Sequence, residues 1–326
     1  MITGGINIIP HSPPAAVAEI VQEAERLGLA RSCMMDEGLD TRDVYVCMTA
    51  AALRTEKIKL GTLITNPYTR HPGVTAASVA TLDELSGGRA FMGLGAGGSL
   101  TLGPLDIERR KPITAVREMI QTSRALFAGE QVNFQGEHVR FKNARLEYAR
   151  TGIPIWVAGR GRQMLTLAGE AADGVSLDFI HRDFVGETIG LVTTAAEKAG
   201  KPRPRINYST NIITSDAMLE EMRPFSTFTL VDSQPDVKKA IGITPDEVES
   251  IRATMNSQGL KAAGKLVKEE WMRPFMLIGS IEECAVELKL FLQKQPVDEV
   301  TLPIHDAESA GDRMETLAKI IALAAA

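Results

Sequence analysis

Short β-rich runs alternate with segments of helical period along almost the whole chain, and this alternation restricts the fold more than any other feature. The first apolar run, 6–9, is closed by Pro10, Pro13 and Pro14. Val17, Ile20, Val21, Ala24 and Leu27 then recur three and four apart and end at Gly28, the pattern of an amphipathic helix with a glycine stop. The spacing predicts further strand and helix pairs at 32–35 with 44–53, 58–63 with 74–85, and 90–94 with 112–127, the last helix having proline in its first turn. After an interruption the rhythm resumes at 155–158 with 164–171, 175–177 with 184–199, 206–213 with 281–292, and 300–304 with 314–323.

Eight such repeats in 326 residues predict one closed (β/α)8 TIM barrel, an α/β fold, spanning 1–326. Two stretches stand outside the rhythm. Residues 131–141, around Phe134-Gln135-Gly136-Glu137-His138, read as a rim hairpin, and about 216–273 read as a helical insertion after the seventh strand. The rival, a doubly wound sheet, normally places a phosphate-binding glycine loop straight after its first strand, where this chain has Pro10-His11-Ser12-Pro13-Pro14.

Composition removes several classes of function. A formal net charge of −5 gives no electrostatic basis for binding nucleic acid. No apolar run reaches the length of a membrane span, and no basic stretch leads an apolar one at the N-terminus, so a cytoplasmic protein is expected. Cys33, Cys47 and Cys284 are an odd set without metal spacing and read as buried thiols in a reducing compartment. Five histidines without close pairing give no metal motif.

In such barrels chemistry gathers in the loops that follow the strands. Two of these loops are rich in glycine. Gly93-Leu94-Gly95-Ala96-Gly97-Gly98 lets a flat ligand approach the backbone, or is simply a flexible loop. Gly159-Arg160-Gly161-Arg162-Gln163 leads into a helix, where free amides and two arginines suit a phosphate; a plain turn with solvated arginines is the alternative. His11, after the first strand, and His305, after the eighth, are candidate proton carriers. Asp36 and Glu37 follow the second strand as a possible coupled carboxylate pair, Asp36 toward a cofactor and Glu37 toward substrate.

Three blocks carry a resemblance. Thr65-Asn66-Pro67-Tyr68-Thr69-Arg70-His71-Pro72, Ala80-Thr81-Leu82-Asp83-Glu84-Leu85-Ser86-Gly87-Gly88-Arg89 and Gly93-Leu94-Gly95-Ala96-Gly97 resemble the luciferase-like monooxygenase family. Within it the chain is most similar to the coenzyme F420-dependent methylenetetrahydromethanopterin reductases, most strongly over 57–98 and again at 168–174. The resemblance implies a flavin or deazaflavin oxidoreductase, with coenzyme F420 as cofactor and FMN as the alternative, and a homodimer paired through the early helices. An FMN-dependent monooxygenase and a flavin-binding protein without turnover are the other readings. It further implies a non-prolyl cis peptide at Leu63–Ile64 backing the ring, Thr65 at the ring edge, Asp36 near the cofactor, Gly95 and Ala96 beside it, and phosphate at Gly159, Arg160, Gly161, Arg162 and Gln163. The chain departs from the reductases where they carry a glutamate (here Asn7), an aspartate (here Gly98) and a histidine (here Glu37). Neither Asn7 nor Gly98 offers a carboxylic acid, so Asn7, Glu37 and His11 are the candidate catalytic residues, and the substrate is left unassigned.

Overall fold

The computed structural model describes residues 2–325, apart from the side chains of Ser99 and Leu100; Ala326, the last residue of the Ala-rich tail, lies outside them. Twelve strands are described: β1 (Thr3–Ile8), β2 (Arg31–Met34), β3 (Lys59–Thr62), β4 (Ala90–Leu94), β5 (Val132–Gln135), β6 (Arg140–Ala144), β7 (Ile155–Ala158), β8 (Gly174–Asp178), β9 (Arg205–Ser209), β10 (Asn211–Ile213), β11 (Met276–Ile278) and β12 (Glu299–Ile304). Eight close into a barrel in the order β1-β12-β9-β8-β7-β4-β3-β2, and every neighbouring pair is parallel. The TIM barrel expected from the alternation is therefore present.

The chain divides into two compact units. The first comprises Met1–Asp178, Glu187–Ser209 and Pro296–Ala318, and contains the barrel. The second comprises Phe179–Gly186, Thr210–Gln295 and Lys319–Ala326. Its core gathers Leu219, Met222, Ile251, Trp271 and Phe275 from successive short helices. Residues 206–213 were expected as one strand, and here the structure differs. The barrel strand ends at Ser209, and Asn211–Ile213 pairs instead with Met276–Ile278 in a separate two-stranded parallel sheet. Thr210 marks the change, its hydroxyl donating to the Phe275 carbonyl at 3.1 Å.

Alternation along each strand sends every second residue into the barrel lumen. Proceeding from register partner to register partner, the lumen receives Asn7 from β1, Cys33 from β2, Gly61 from β3, Phe91 from β4, Trp156 from β7, Ser176 and Asp178 from β8, Asn207 and Ser209 from β9, and Thr301 from β12. The lumen is consequently two-sided. Cys33, Leu63, Phe91 and Trp156, with Ile64 and Ala158 against them, form an apolar cluster on the side of β2, β3, β4 and β7. The side of β8, β9, β12 and β1 is polar.

The hairpin β5–β6 is antiparallel and is locked by one carboxylate. Glu118, on the helix Pro112–Phe127, accepts from the backbone amides of Glu137 (2.7 Å), His138 (3.0 Å) and Val139 (3.1 Å). A Cβ on Gly136 would lie 2.3 Å from that carboxylate, so a side chain there would push Glu118 off the amides it holds. The hairpin in turn meets the loop after β3, with His138 edge-on to Tyr68 (6.0 Å between ring centroids) and Phe141 edge-on to His71 (5.0 Å). Among the described residues no helix is long and apolar enough to cross a membrane, and no cluster of potential ligands could hold a metal.

Candidate active site

The carboxyl ends of β2, β3 and β4 converge. The Leu63–Ile64 peptide is cis. The Asp36 amide donates to the Ile64 carbonyl at 3.1 Å, and the Thr65 hydroxyl donates to Asp36 Oδ2 at 2.6 Å. Thr65 is tied to β4 in both directions, its amide donating to Gly93 O (2.9 Å) and its carbonyl accepting from Gly95 N (3.0 Å). A Cβ on Gly95 would lie 2.2 Å from Ile64 Cδ1, so the bare backbone at 95 is what admits the Ile64 side chain. Thus Asp36, Leu63, Ile64, Thr65 and Gly95 form one constellation, and Ala96, half-buried, continues it.

Tyr45 stands behind this group. Burial, and then the neighbouring Asp36 charge, push its phenol above the ordinary range. The Arg70 guanidinium lies 4.8 Å from the centre of its ring and pairs with Asp43 at 2.6 Å. Asp43 is also the cap of the helix Val44–Ala52, accepting from Tyr45 N and Val46 N.

The phosphate candidates occupy the next loop. Gly161 caps the helix Arg162–Ala171 with no side-chain hydrogen bond to its first amides. Arg160, Gly161, Arg162 and Gln163 are all exposed, and Gly159 is half-buried. Arg162 pairs with Glu187, at 3.4 Å on the surface. A helix start with no side-chain cap and two cations is chemically suited to a phosphate.

The proposed catalytic trio is dispersed. Asn7 is 1 % exposed in the lumen, and among the described residues its Oδ1 has no hydrogen-bond partner. Glu37 is half-buried and already engaged, because the buried Thr101 hydroxyl donates to its Oε2 at 2.6 Å. That bond ties the loop after β4 to the loop after β2, and within the loop after β4 Arg109 Nη1 donates to Gly97 O at 3.0 Å. His11 is exposed on the rim, where Arg42 Nη1 donates to its carbonyl. His305 is different: burial, and then the Arg313 charge, push it down to about 4, so it is neutral at physiological pH.

Some residues here had no role assigned from the sequence, although 176–179 were expected at a strand's carboxyl end. Asp178 ends β8 inside the lumen, and burial pushes its carboxyl up from the ordinary range. Thr101, Arg109 and Tyr45 were likewise not anticipated. A lone aspartate, threonine or tyrosine has no spacing signature; only the register shows where it points.

The family model for the luciferase-like monooxygenases matches residues 3–299. The chain belongs to this family. Within the luciferase-like family, it is 31% identical to 5,10-methylenetetrahydromethanopterin reductase of Methanolobus tindarius over 297 residues, which cover 89% of this chain and 91% of the relative. It is also 31% identical to the enzyme of the same name from Archaeoglobus fulgidus, over 86% of each chain. Among solved structures it is similar to the coenzyme F420-dependent tetrahydromethanopterin reductase of Methanopyrus kandleri, with a TM-score of 0.87, 28% identity and 97% of both chains covered.

Proposed function

We propose that this luciferase-like protein is an oxidoreductase that moves a hydride between coenzyme F420 and an organic substrate. The carrying observation is that one barrel mouth combines an apolar half ending in the Leu63–Ile64 bulge with an exposed, arginine-bearing helix start. Likeness over nearly the whole chain to F420-dependent reductases supports that cofactor over FMN.

The residues present fit such a group. The apolar half suits a flat ring, and the helix start with no side-chain cap suits a phosphate. When bound, the deazaflavin would supply a hydride carrier, giving or taking two electrons together with one proton. Leu63, Ile64, Gly95 and Ala96 would back the ring and exclude water. Thr65, fixed by Asp36, would hold the ring edge. Gly159, Arg160, Gly161, Arg162 and Gln163 would hold phosphate. Asn7 would face the substrate with its orphaned amide oxygen, and Glu37 would set the loop after β4. Departure from the reductases at Asn7 and Gly98 supports a substrate other than their pterin.

Titration with F420 and with FMN, followed by transfer assays on a panel of organic acceptors and donors, tests the reading. F420 binding with turnover is expected. Binding of FMN alone would point to an FMN-dependent monooxygenase; binding without turnover of any substrate would leave a flavin-binding protein; no binding would sink the proposal. A homodimer belongs to the same reading, supported by the exposed apolar side chains Val46, Leu53, Val74 and Leu85 on or beside the second and third long helices, and light scattering checks it. The three buried free thiols suit a reducing, cytoplasmic setting.

A further inference from the structure

The polar half of the lumen contains a directed hydrogen-bond chain. Asn207 Nδ2 donates to Ser176 Oγ (2.8 Å) and to Thr301 Oγ1 (2.9 Å), so Asn207 holds both hydroxyls from the middle. Ser176 Oγ, having accepted from Asn207, donates to Asp178 Oδ1 at 3.2 Å. The chain thus runs up β8 and stops at a carboxyl on the last residue of the strand, the level at which barrel enzymes carry their chemistry. Around it the wall has capacity left over: among the described residues Asn7 Oδ1 and Asn207 Oδ1 are buried without partners. Buried polar groups are normally satisfied, and unmet ones cluster where a ligand or ordered water completes them.

We propose that Asp178 is the group that exchanges a proton with the substrate, the acid of a site that lacks the carboxylates expected at Asn7 and Gly98. This rests on the hydride-transfer reading above and deepens it. In the reducing direction the substrate carbon of a C=O or C=N bond takes the hydride from the reduced deazaflavin, and its heteroatom takes the proton from the Asp178 carboxyl. The carboxylate left behind regains a proton from water. In the oxidising direction Asp178 accepts the proton as the hydride leaves.

The surroundings favour the acid form. Burial raises the proton affinity of Asp178, against the lowering pull of the Ser176 hydroxyl, of the Ser209 hydroxyl that faces it without a closed hydrogen bond, and of the Arg160 charge from the loop after β7. From β2 the facing titratable group is Cys33, whose own burial pushes it up to about 12, so it brings no charge at neutral pH.

The test has two readouts. Infrared spectra of the cofactor-free protein across a pH titration are expected to show a protonated-carboxyl stretch that outlasts the ordinary carboxyls as pH rises and that Asp178→Asn removes; absence of such a late-titrating band in the wild type, or its survival in the variant, overturns the assignment. With F420 bound, the wild-type rate is expected to fall as pH rises through the Asp178 range. Asp178→Asn is expected to lose about a hundred- to ten-thousand-fold in turnover, with that limb gone and F420 affinity unchanged. Ser176→Ala, which removes a bond to the ionised form, is expected to move the limb to higher pH. An unchanged rate and profile in Asp178→Asn would overturn the proposal. If the wild type binds no F420, the hydride reading fails while the infrared result still stands or falls by itself.

Discussion

At the floor of the barrel buried charges face one another, whereas toward its mouth the unpartnered buried groups include neutral side-chain amides. Arg31, 7 % exposed, places Nε 3.1 Å from Glu299 Oε2, and its guanidinium carbon lies 3.6 Å from the Trp156 ring centre and 4.6 Å from that of Phe91. Arg205 donates to the same carboxylate through Nε (3.1 Å) and Nη2 (2.9 Å). A cavity of ≈ 730 Å³ opens at this end. Its carboxylates Glu25, Asp173 and Glu299 all accept hydrogen bonds within the fold. A cavity by itself therefore does not mark the working end. The kind of group does: at the floor the unfilled atoms belong to charges that face one another, Arg31 and Glu299, whereas toward the mouth they are the neutral amide oxygens of Asn7 and Asn207.

The comparison can be broken most forcefully at the floor. Glu299→Leu strands the buried Arg31 charge and is expected to cost about 3–5 kcal/mol in chemical denaturation, since one member of a buried pair is far harder to lose than both. Arg31→Met with Glu299→Leu should recover most of the loss, and a single-variant change near zero would show that the floor does not hold the barrel.

Acid titration probes the mouth. His305 sits at about 4 in the folded chain against its ordinary 6.5, so the native state refuses a proton that the unfolded chain binds. Its contribution is complete above pH 6.5 and drains as pH falls toward 4. The wild type should lose at most about 3 kcal/mol across that window, and His305→Gln should flatten the curve. Parallel curves for the two proteins would refute the assignment.

A smaller effect, confined to binding, is expected from Arg162→Glu. The residue is 77% exposed and its partner Glu187 68%, so losing their pair should leave the melting temperature nearly unchanged. A negative charge at the helix start should nevertheless weaken cofactor binding about tenfold or more. Equal titrations would place the phosphate elsewhere. A small change in stability is likewise expected at Asn7. Replacing a group with an unmet acceptor by an apolar one of similar size is close to neutral, so Asn7→Leu should shift stability by less than about 1 kcal/mol while turnover falls. A loss comparable to that of Glu299→Leu would erase the distinction between the two ends.

The barrel was legible because period is a local property: the strand Ile155–Ala158 and the helix Pro112–Phe127 agree residue for residue with their patterns. What escaped depends on pairing. Residues 206–213 read as one β-rich stretch, and nothing in that stretch says that its last three residues leave the barrel for a partner more than sixty residues away. Met276–Ile278, three residues long, is too short to carry a period at all. At the site, the bulge and the glycine loops were readable as motifs. The bond from Thr101 to Glu37 was not, because it depends on where a short helix sets down a single hydroxyl, and that same bond turns a residue expected to face substrate into a tie between loops. Asp178 is readable only once the register puts Ser176 and Asn207 beside it.

The Glu118 carboxylate has a consequence for how such barrels are altered. One side chain on the helix before the hairpin grips three consecutive amides of its turn, and a side chain in place of the glycine beside it would push that carboxylate off them. The inserted segment and its fastening are therefore written in two places within a span of about two dozen residues. A rim hairpin grafted from one barrel to another would have to bring the helix acid and the turn glycine together, or it would arrive as an unfastened loop. Because His138 and Phe141 lean on Tyr68 and His71, that slack would be passed to the segment that follows the bulge. A single acid, far from any reacting atom, thus sets how freely the rim can be exchanged without disturbing the ring's backing.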